Sequence, residues 1–306
     1  MLNVIKCPLC NSESNEFIQE YSYKNDIFSN CKIVKCNSCE LYFANPTPKE
    51  SELHNYNNSY HQSAHGGIIT DAKTKGFFYG LSKLRLIMIK DNINILNESK
   101  INVLEVGPGP GYFASLWLSE FPNSKYFAIE SDINCYKSLK NLNIEIIENK
   151  NLGNLKFDLI VISHVLEHVS SPVVFLNQYV NCLESKGNLF IEVPCNDWKY
   201  KKLCEPHLLF FSKKPMEKLS NVLGLEILSM NYYGTSIKKT KNLLFKFFNR
   251  LRVFFYYKFD IKFYHSKRKK INELLNNEYS TEALLNFDAH LIKKNESLWL
   301  RSIFKK

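Results

Sequence analysis

Two groups of residues in this chain have the types and spacing for chemistry. Cys7-Pro8-Leu9-Cys10 and Cys36-Asn37-Ser38-Cys39 are two C-x-x-C pairs. Each such knuckle presents two thiolates from one tight turn, and a tetrahedral zinc ion takes four. Together they read as a zinc ribbon, with a redox pair as the alternative. A site with all four positions filled by protein leaves none for a substrate water, so this zinc is expected to fold a small unit and do no chemistry. Cys31 is a spare thiol that either competes as ligand or fills the core. Nine cysteines is an odd number and argues against a disulfide framework.

The second group is Ser163-His164-Val165-Leu166-Glu167-His168-Val169. Two imidazoles and a carboxylate just beyond an apolar strand make an acid–base cluster. His164 and His168 are four apart, so a helical turn would set them on one face. H-x-x-E-H is also an inverted zinc-protease motif, but that motif needs a helix and a distant third ligand. Here it leaves a strand, and the protease reading is set aside.

Leu104 to Phe113, LEVGPGPGYF, adds a ligand loop. Gly107, Gly109 and Gly111 have G-x-G-x-G spacing, one residue short of the dinucleotide fingerprint G-x-G-x-x-G. Glu105 ends the strand before them, and a carboxylate repels a pyrophosphate. It suits a cationic ligand, such as an amino group or a sulfonium. Taken alone, the loop could also be a Gly-Pro turn with no ligand. The next strand ends in Glu130, where an acid accepts hydrogen bonds from ribose hydroxyls in NAD enzymes and other adenosine binders alike. Asn149 or Asn151 could reach an adenine edge, although polar loop residues are common there.

These groups need a scaffold. From Ile101, apolar runs of strand length alternate with helical stretches, giving strands at 101–106, 125–130, 144–148, 157–162, 188–193 and 225–231. Alternating βα units of this kind predict an α/β, doubly wound, mostly parallel sheet, with ligands at the carboxyl ends of its strands. The glycine loop, Glu130 and the histidine cluster fall at those ends.

The combination LEVGPGPGYF, AIESD, FDLIVISHVLEHVSSP and GNLFIEVPCND resembles the class I S-adenosylmethionine-dependent methyltransferases. With the cysteine pairs in front and EPHLLFFS behind, roughly residues 5 to 231 look like the branch with an N-terminal zinc-binding segment. That branch includes deoxysugar C-methyltransferases and enzymes of surface-polysaccharide pathways. The resemblance implies a seven-stranded sheet whose last strand, roughly 297–304, is antiparallel. It implies S-adenosylmethionine as cofactor, with Gly107, Gly109 and Gly111 beneath its methionine portion. Glu105 would help hold the ammonium, Glu130 the ribose, and Ser163 would line the methyl-donor pocket. Glu167 and His168 match a substrate-binding and general-base pair, and His207 matches a recurrent histidine. Val165 replaces a tyrosine sometimes found there, so substrate contacts differ. His168 is the first choice for base and His207 the second, while His164 could be catalytic or structural. The acceptor implied is a saccharide or sugar nucleotide, methylated on oxygen or carbon.

The resulting division is a zinc ribbon at 1–45, a helical connector and lid at 46–99, a cofactor-binding core at 100–233, and a basic aromatic helical insertion plus final strand at 234–306. The net charge of +10 sits in one place: residues 238–270 carry twelve Lys or Arg against Asp260 alone. This excludes a generally basic nucleic-acid binder and points to one basic surface element. Within it, apolar residues at 243, 244, 247, 248, 251, 254 and 255 form a helical stripe, with Lys246, Arg250 and Arg252 off it. Residues 241–264 could pack on the core, cover a phosphorylated substrate, or contact an anionic membrane surface or a partner. No apolar run reaches the roughly 18 residues of a membrane span, and MLNVIKCPLC lacks a signal-peptide core. The expected location is cytoplasmic, with contact at the inner membrane face left open. An RNA base methyltransferase would use the zinc ribbon and basic segment for RNA, but the N-P-P-Y type motif it needs is missing after the fourth strand. A non-catalytic binding module is the remaining alternative, against which the intact acids and histidines argue.

Overall fold

The computed structural model describes residues 6–57, 71–94, 100–237, 243–261 and 287–306, together with 271, 273, 275 and 284. Its centre is a mixed sheet built where the sequence alternates apolar runs with helices. The strands are β4 (Asn102–Val106), β5 (Lys125–Ile129), β6 (Glu145–Ile146), β7 (Phe157–Ser163), β8 (Leu183–Pro194), β10 (Glu226–Ser236), β11 (Ile292–Lys293) and β12 (Ser297–Lys305). Their order is β11-β10-β12-β8-β7-β4-β5-β6. β4, β5, β6, β7 and β8 pair in parallel, whereas β12 runs antiparallel to both β8 and β10.

The expected seven strands are corrected to eight, because Ile292–Lys293 adds a short edge beside Tyr232 and Tyr233. Two residues have no periodicity from which a strand could be read. The third strand is likewise shorter than expected, and the fifth begins five residues earlier.

Successive residues of a strand point to opposite faces, and both faces of this sheet are covered. Val103, Leu159, Val161 and Phe190 pack with Leu86 and Trp117 from α2 (Ala72–Asn92) and α3 (Tyr112–Glu120). Leu104, Val106, Ile160, Ile162 and Ile191 face the other way, onto α5 (Pro172–Asn181), α6 (Lys213–Leu223) and the N-terminal unit. This is why β7 reads as an unbroken apolar run: each such side chain is worth about 1.5–3 kcal/mol when fully buried. α4 (Tyr136–Asn141) closes the β5–β6 crossover, and α1 (Glu50–Asn57) follows the N-terminal unit.

The N-terminal unit is an antiparallel sheet of β1 (Asn15–Glu20), β2 (Lys32–Cys36), β3 (Tyr42–Asn45) and β9 (Leu209–Phe210). Its fourth strand comes from the EPHLLFFS segment, with Tyr42 opposite Phe210 and Phe43 opposite Leu209. Cys7, Cys10, Cys36 and Cys39 meet at its end, and none of the nine cysteines is in a disulfide.

In the basic segment, α7 (Leu243–Phe259) is helical, as the stripe predicts. Tyr256 is buried and its carbonyl accepts from Lys73 Nζ, tying α7 to α2. Phe247, Phe248 and Phe254 of the apolar stripe are exposed. The side chains of Lys246 and Arg250, and most residues of 262–286, lie outside the described part. Among the described residues no helix is long and apolar enough to cross a membrane.

Candidate active site

The carboxyl ends of β4, β5 and β7 open into a cavity of about 970 Å³, lined by the glycine loop on one side and the histidine cluster on the other. Gly107, Gly109 and Gly111 all take positive φ (69°, 56° and 86°), the left-handed region that only glycine enters freely. Gly107 also has no room for a side chain, since a Cβ would come 2.5 Å from Val165 Cγ2. The glycine loop is thus fixed against the segment that follows the neighbouring strand β7.

Two acids shape the loop's end of the cavity. Glu130 accepts from the backbone N–H of Gly109 and of Asp132, both at 2.8 Å, so its carboxylate closes the loop as well as facing the cavity. Burial raises its pKa, against the lowering effect of those backbone donors. Glu105 is buried and accepts from Tyr126 Oη at 2.7 Å. Burial pushes it up to about 7, with Tyr126 and Arg85 pulling the other way. The Ser163 hydroxyl, also buried in the lining, meets no hydrogen-bond partner among the described residues. Asn149 Oδ1 is taken by Tyr179 Oη at 2.9 Å.

The histidine cluster is not the helix face suggested by the four-residue spacing. His164 is left-handed (φ 56°), and Leu166–His168 form a single 3-10 turn. This geometry puts Glu167 between the imidazoles. His164 Nδ1, His168 Nε2 and His207 Nε2 lie 3.3, 3.9 and 4.0 Å from Glu167 Oε1. His207 arrives from a loop forty residues downstream, placed by backbone ties: Leu208 N donates to the Glu167 carbonyl at 2.7 Å, and Tyr21 Oη donates to the His207 carbonyl at 2.8 Å. The His168 and His207 rings meet edge to face at 4.9 Å. Burial raises the Glu167 pKa, but the three imidazoles outweigh it and hold the carboxyl below its ordinary value. Burial pushes His168 down to about 3, aided by His207 and His164. For His164, burial lowers the pKa, but Glu167 and Glu192 more than reverse that and raise it.

Five charged residues that sequence reasoning passed over back the histidines, and Arg85 and Lys201 among them line the cavity. Glu192 on β8 is buried and held by Arg85 Nε at 3.0 Å, by Arg301 Nε, and by His164 Nε2 at 3.0 Å. Its carboxyl sits well below the usual range because the two guanidiniums overcome the cost of burial. Asp197 Oδ2 lies 2.7 Å from His207 Nδ1 and 2.7 Å from Lys201 Nζ. The available signal was a lone charge inside an apolar run: Glu192 in LFIEV, Arg301 in WLRSIF and Arg85 in KLRLIM. Such charges are seldom buried without partners.

Residues 83–230 match a family model described as a methyltransferase domain. That span is a methyltransferase domain. The eight-stranded mixed sheet is an α/β methyltransferase fold, and the matched span carries the glycine loop, Glu105, Glu130 and all three histidines. Solved structures similar to the methyltransferase include an S-adenosylmethionine-dependent methyltransferase from Archaeoglobus fulgidus, with 16% identity over 81% of this chain and 98% of that one and a TM-score of 0.48. Another is a possible histamine N-methyltransferase from Thermotoga maritima, with 14% identity, coverage of 83% and 97%, and a TM-score of 0.48. Coclaurine N-methyltransferase bound to N-methylheliamine and SAH has 16% identity, coverage of 74% and 72%, and a TM-score of 0.46. No curated protein matches the sequence.

Proposed function

We propose that the methyltransferase transfers the methyl group of S-adenosylmethionine to an oxygen or carbon of a saccharide or sugar nucleotide. The observation that carries this reading is the placement of Glu167, His168 and His207 on the cavity wall across from the glycine loop, Glu105 and Glu130. The acidic end suits a ligand with an ammonium, a sulfonium and a ribose, and the cavity volume is at the upper end of ordinary cofactor-plus-substrate sites. Glu105 would face the ammonium and Glu130 the ribose, while the glycines would let the methionine portion approach the backbone. Sulfonium methyl transfer is an in-line displacement, so alignment supplies most of the acceleration. The remaining need is a group that takes the acceptor's proton, and a neutral imidazole suits that near pH 7. His168 and His207 are the candidates for base. His164, held between two carboxylates, fits a fixed polar wall better.

Zinc fits the four cysteines. Cys7 Sγ–Cys39 Sγ and Cys10 Sγ–Cys36 Sγ are each 3.5 Å apart. Ligands about 2.3 Å from a tetrahedral zinc are roughly 3.8 Å from one another. Cys31 is buried outside this group, as a small core residue. The zinc would hold the two knuckles together and, through β3 and β9, support the loop that carries His207.

Calorimetry with S-adenosylmethionine, with NAD as control, paired with a methyl-transfer screen over nucleotide-linked sugars, tests the reading. Binding of NAD in place of S-adenosylmethionine overturns the donor; transfer to no saccharide overturns the acceptor class. Full turnover by His168→Ala on the acceptor found removes His168 as base.

A further inference from the structure

We propose that Glu167, His168 and His207 form a mononuclear site for a divalent transition cation whose next ligand is an oxygen of the methyl acceptor. The three side chains come from two separate segments, yet one ligand atom of each lies within 4.8 Å of the other two. Two imidazole nitrogens and a carboxylate oxygen are a donor set for zinc, cobalt, iron or manganese, and three protein ligands leave a position open. At metal–ligand distances of about 2.0–2.2 Å, neighbouring ligand atoms stand roughly 3.0–3.5 Å apart. The 3.9 and 4.0 Å separations from Glu167 Oε1 therefore need only a modest contraction about the ion.

Two further observations point to a cation. The Glu167 carboxylate is 1% exposed, and its polar neighbours are imidazoles, with His164 Nδ1 at 3.3 Å from Oε1 and the Nε2 atoms of His168 and His207 at 3.9 and 4.0 Å. A buried carboxylate whose partners stand this far off is costly; an ion between it and the imidazoles of His168 and His207 would supply a close one. The second observation is Asp197. It contacts Nδ1 of His207 at 2.7 Å, which places that ring's proton away from the cluster and leaves the Nε2 lone pair facing Glu167. A carboxylate behind an imidazole in this way is the usual support of a metal-ligating histidine. The arrangement is also braced in the backbone, since Leu208 N is bonded to the Glu167 carbonyl. The cluster opens onto the cavity that also contains the glycine loop.

This proposal rests on the reading of the cavity as the methyl-transfer site; with the ion bound His168 and His207 are ligands, and only without it are they the candidates for base. An acceptor hydroxyl bound to the cation has a lowered pKa and gives its proton to water in the cavity. The resulting alkoxide attacks the methyl carbon, the new C–O bond forms as the C–S bond breaks, and sulfur keeps the bonding pair as a neutral thioether. His168 and His207 then hold the ion and take no proton.

Co2+ titrated into the full-length protein tests the site, because nitrogen and oxygen ligation gives d–d absorption without the sulfur charge-transfer band of a thiolate site. One equivalent with that signature is expected, weakened ~10–100-fold or more in Glu167→Gln and His207→Ala. S-adenosylmethionine binding by the variants, unchanged within about twofold, shows that they remain folded. No nitrogen–oxygen Co2+ band, or one that both variants retain unchanged, overturns the site. Chelator-treated protein that still binds S-adenosylmethionine and transfers methyl at full rate overturns its part in the reaction. Co2+ binding without transfer to any saccharide leaves the site standing and removes only the acceptor class.

Discussion

His207 Nδ1 stands 2.7 Å from Asp197 Oδ2, with both side chains buried and His207 lining the cavity. Replacing Asp197 by Asn keeps the shape but removes the charge that fixes the imidazole tautomer. Methyl transfer should fall ~10-fold or more, whether His207 takes a proton or holds a cation. S-adenosylmethionine affinity, measured by calorimetry, should not change. An unaltered transfer rate in Asp197→Asn would detach His207 from the chemistry.

Gly107→Ala places a Cβ 2.5 Å from Val165 Cγ2 and adds left-handed strain of about 1–2 kcal/mol. Cofactor affinity should drop at least ~10-fold. Adding Val165→Ala should recover part of that loss, because it removes the clash and leaves the strain. No recovery would mean that the clash contributes nothing.

Glu105 gives the fold a pH dependence of defined sign. Its pKa is raised from 4.5 to about 7 by burial, so its contribution to stability is complete below about 4.5 and is lost as pH rises through about 7. Without cofactor, thermal melts should show the unsubstituted protein losing ground to Glu105→Gln between pH 5 and pH 8. A constant difference between the two proteins across that range would contradict the assignment.

Arg301→Met strips one guanidinium from buried Glu192 and leaves a carboxylate short of a partner. Breaking a buried pair in this way costs about 3–5 kcal/mol. Denaturant midpoints should show that loss, and Glu192→Gln added to Arg301→Met should return much of it. Simple additivity of the two changes would sink the coupling.

Cys10→Ser should lower bound zinc by one equivalent per chain, read by elemental analysis. Methyl transfer should fall with it, since β3 and the His207 segment share one sheet. Retained zinc would remove Cys10 from the ligand set.

The parallel strands were legible because burial on both faces makes each one an apolar run, as in FDLIVIS of β7. The glycine loop's backbone was legible because three glycines in five residues suit left-handed positions, which all three take. What was not legible depended on contacts distant in sequence. Nothing near Leu209 announces that it pairs with Phe43, and nothing near Glu192 announces Arg85 or Arg301. The reading of His164 and His168 as one helical face assumed regular backbone. A left-handed residue and a 3-10 turn instead placed Glu167 between them. In α7 the periodicity gave the helix but not its environment: Tyr256 is covered, while Phe247 and Phe248 face solvent.

The pairing of β3 with β9 also sets an order of events during synthesis. The N-terminal sheet reaches the ribosome exit with an open edge, and its closing strand follows roughly 160 residues later. At 5–20 residues per second, that edge waits on the order of ten to thirty seconds. By then β4, β5 and β7, with the glycine loop, have already emerged. The nascent chain therefore carries the glycine loop before His207 has emerged, and an unpaired strand edge through the interval.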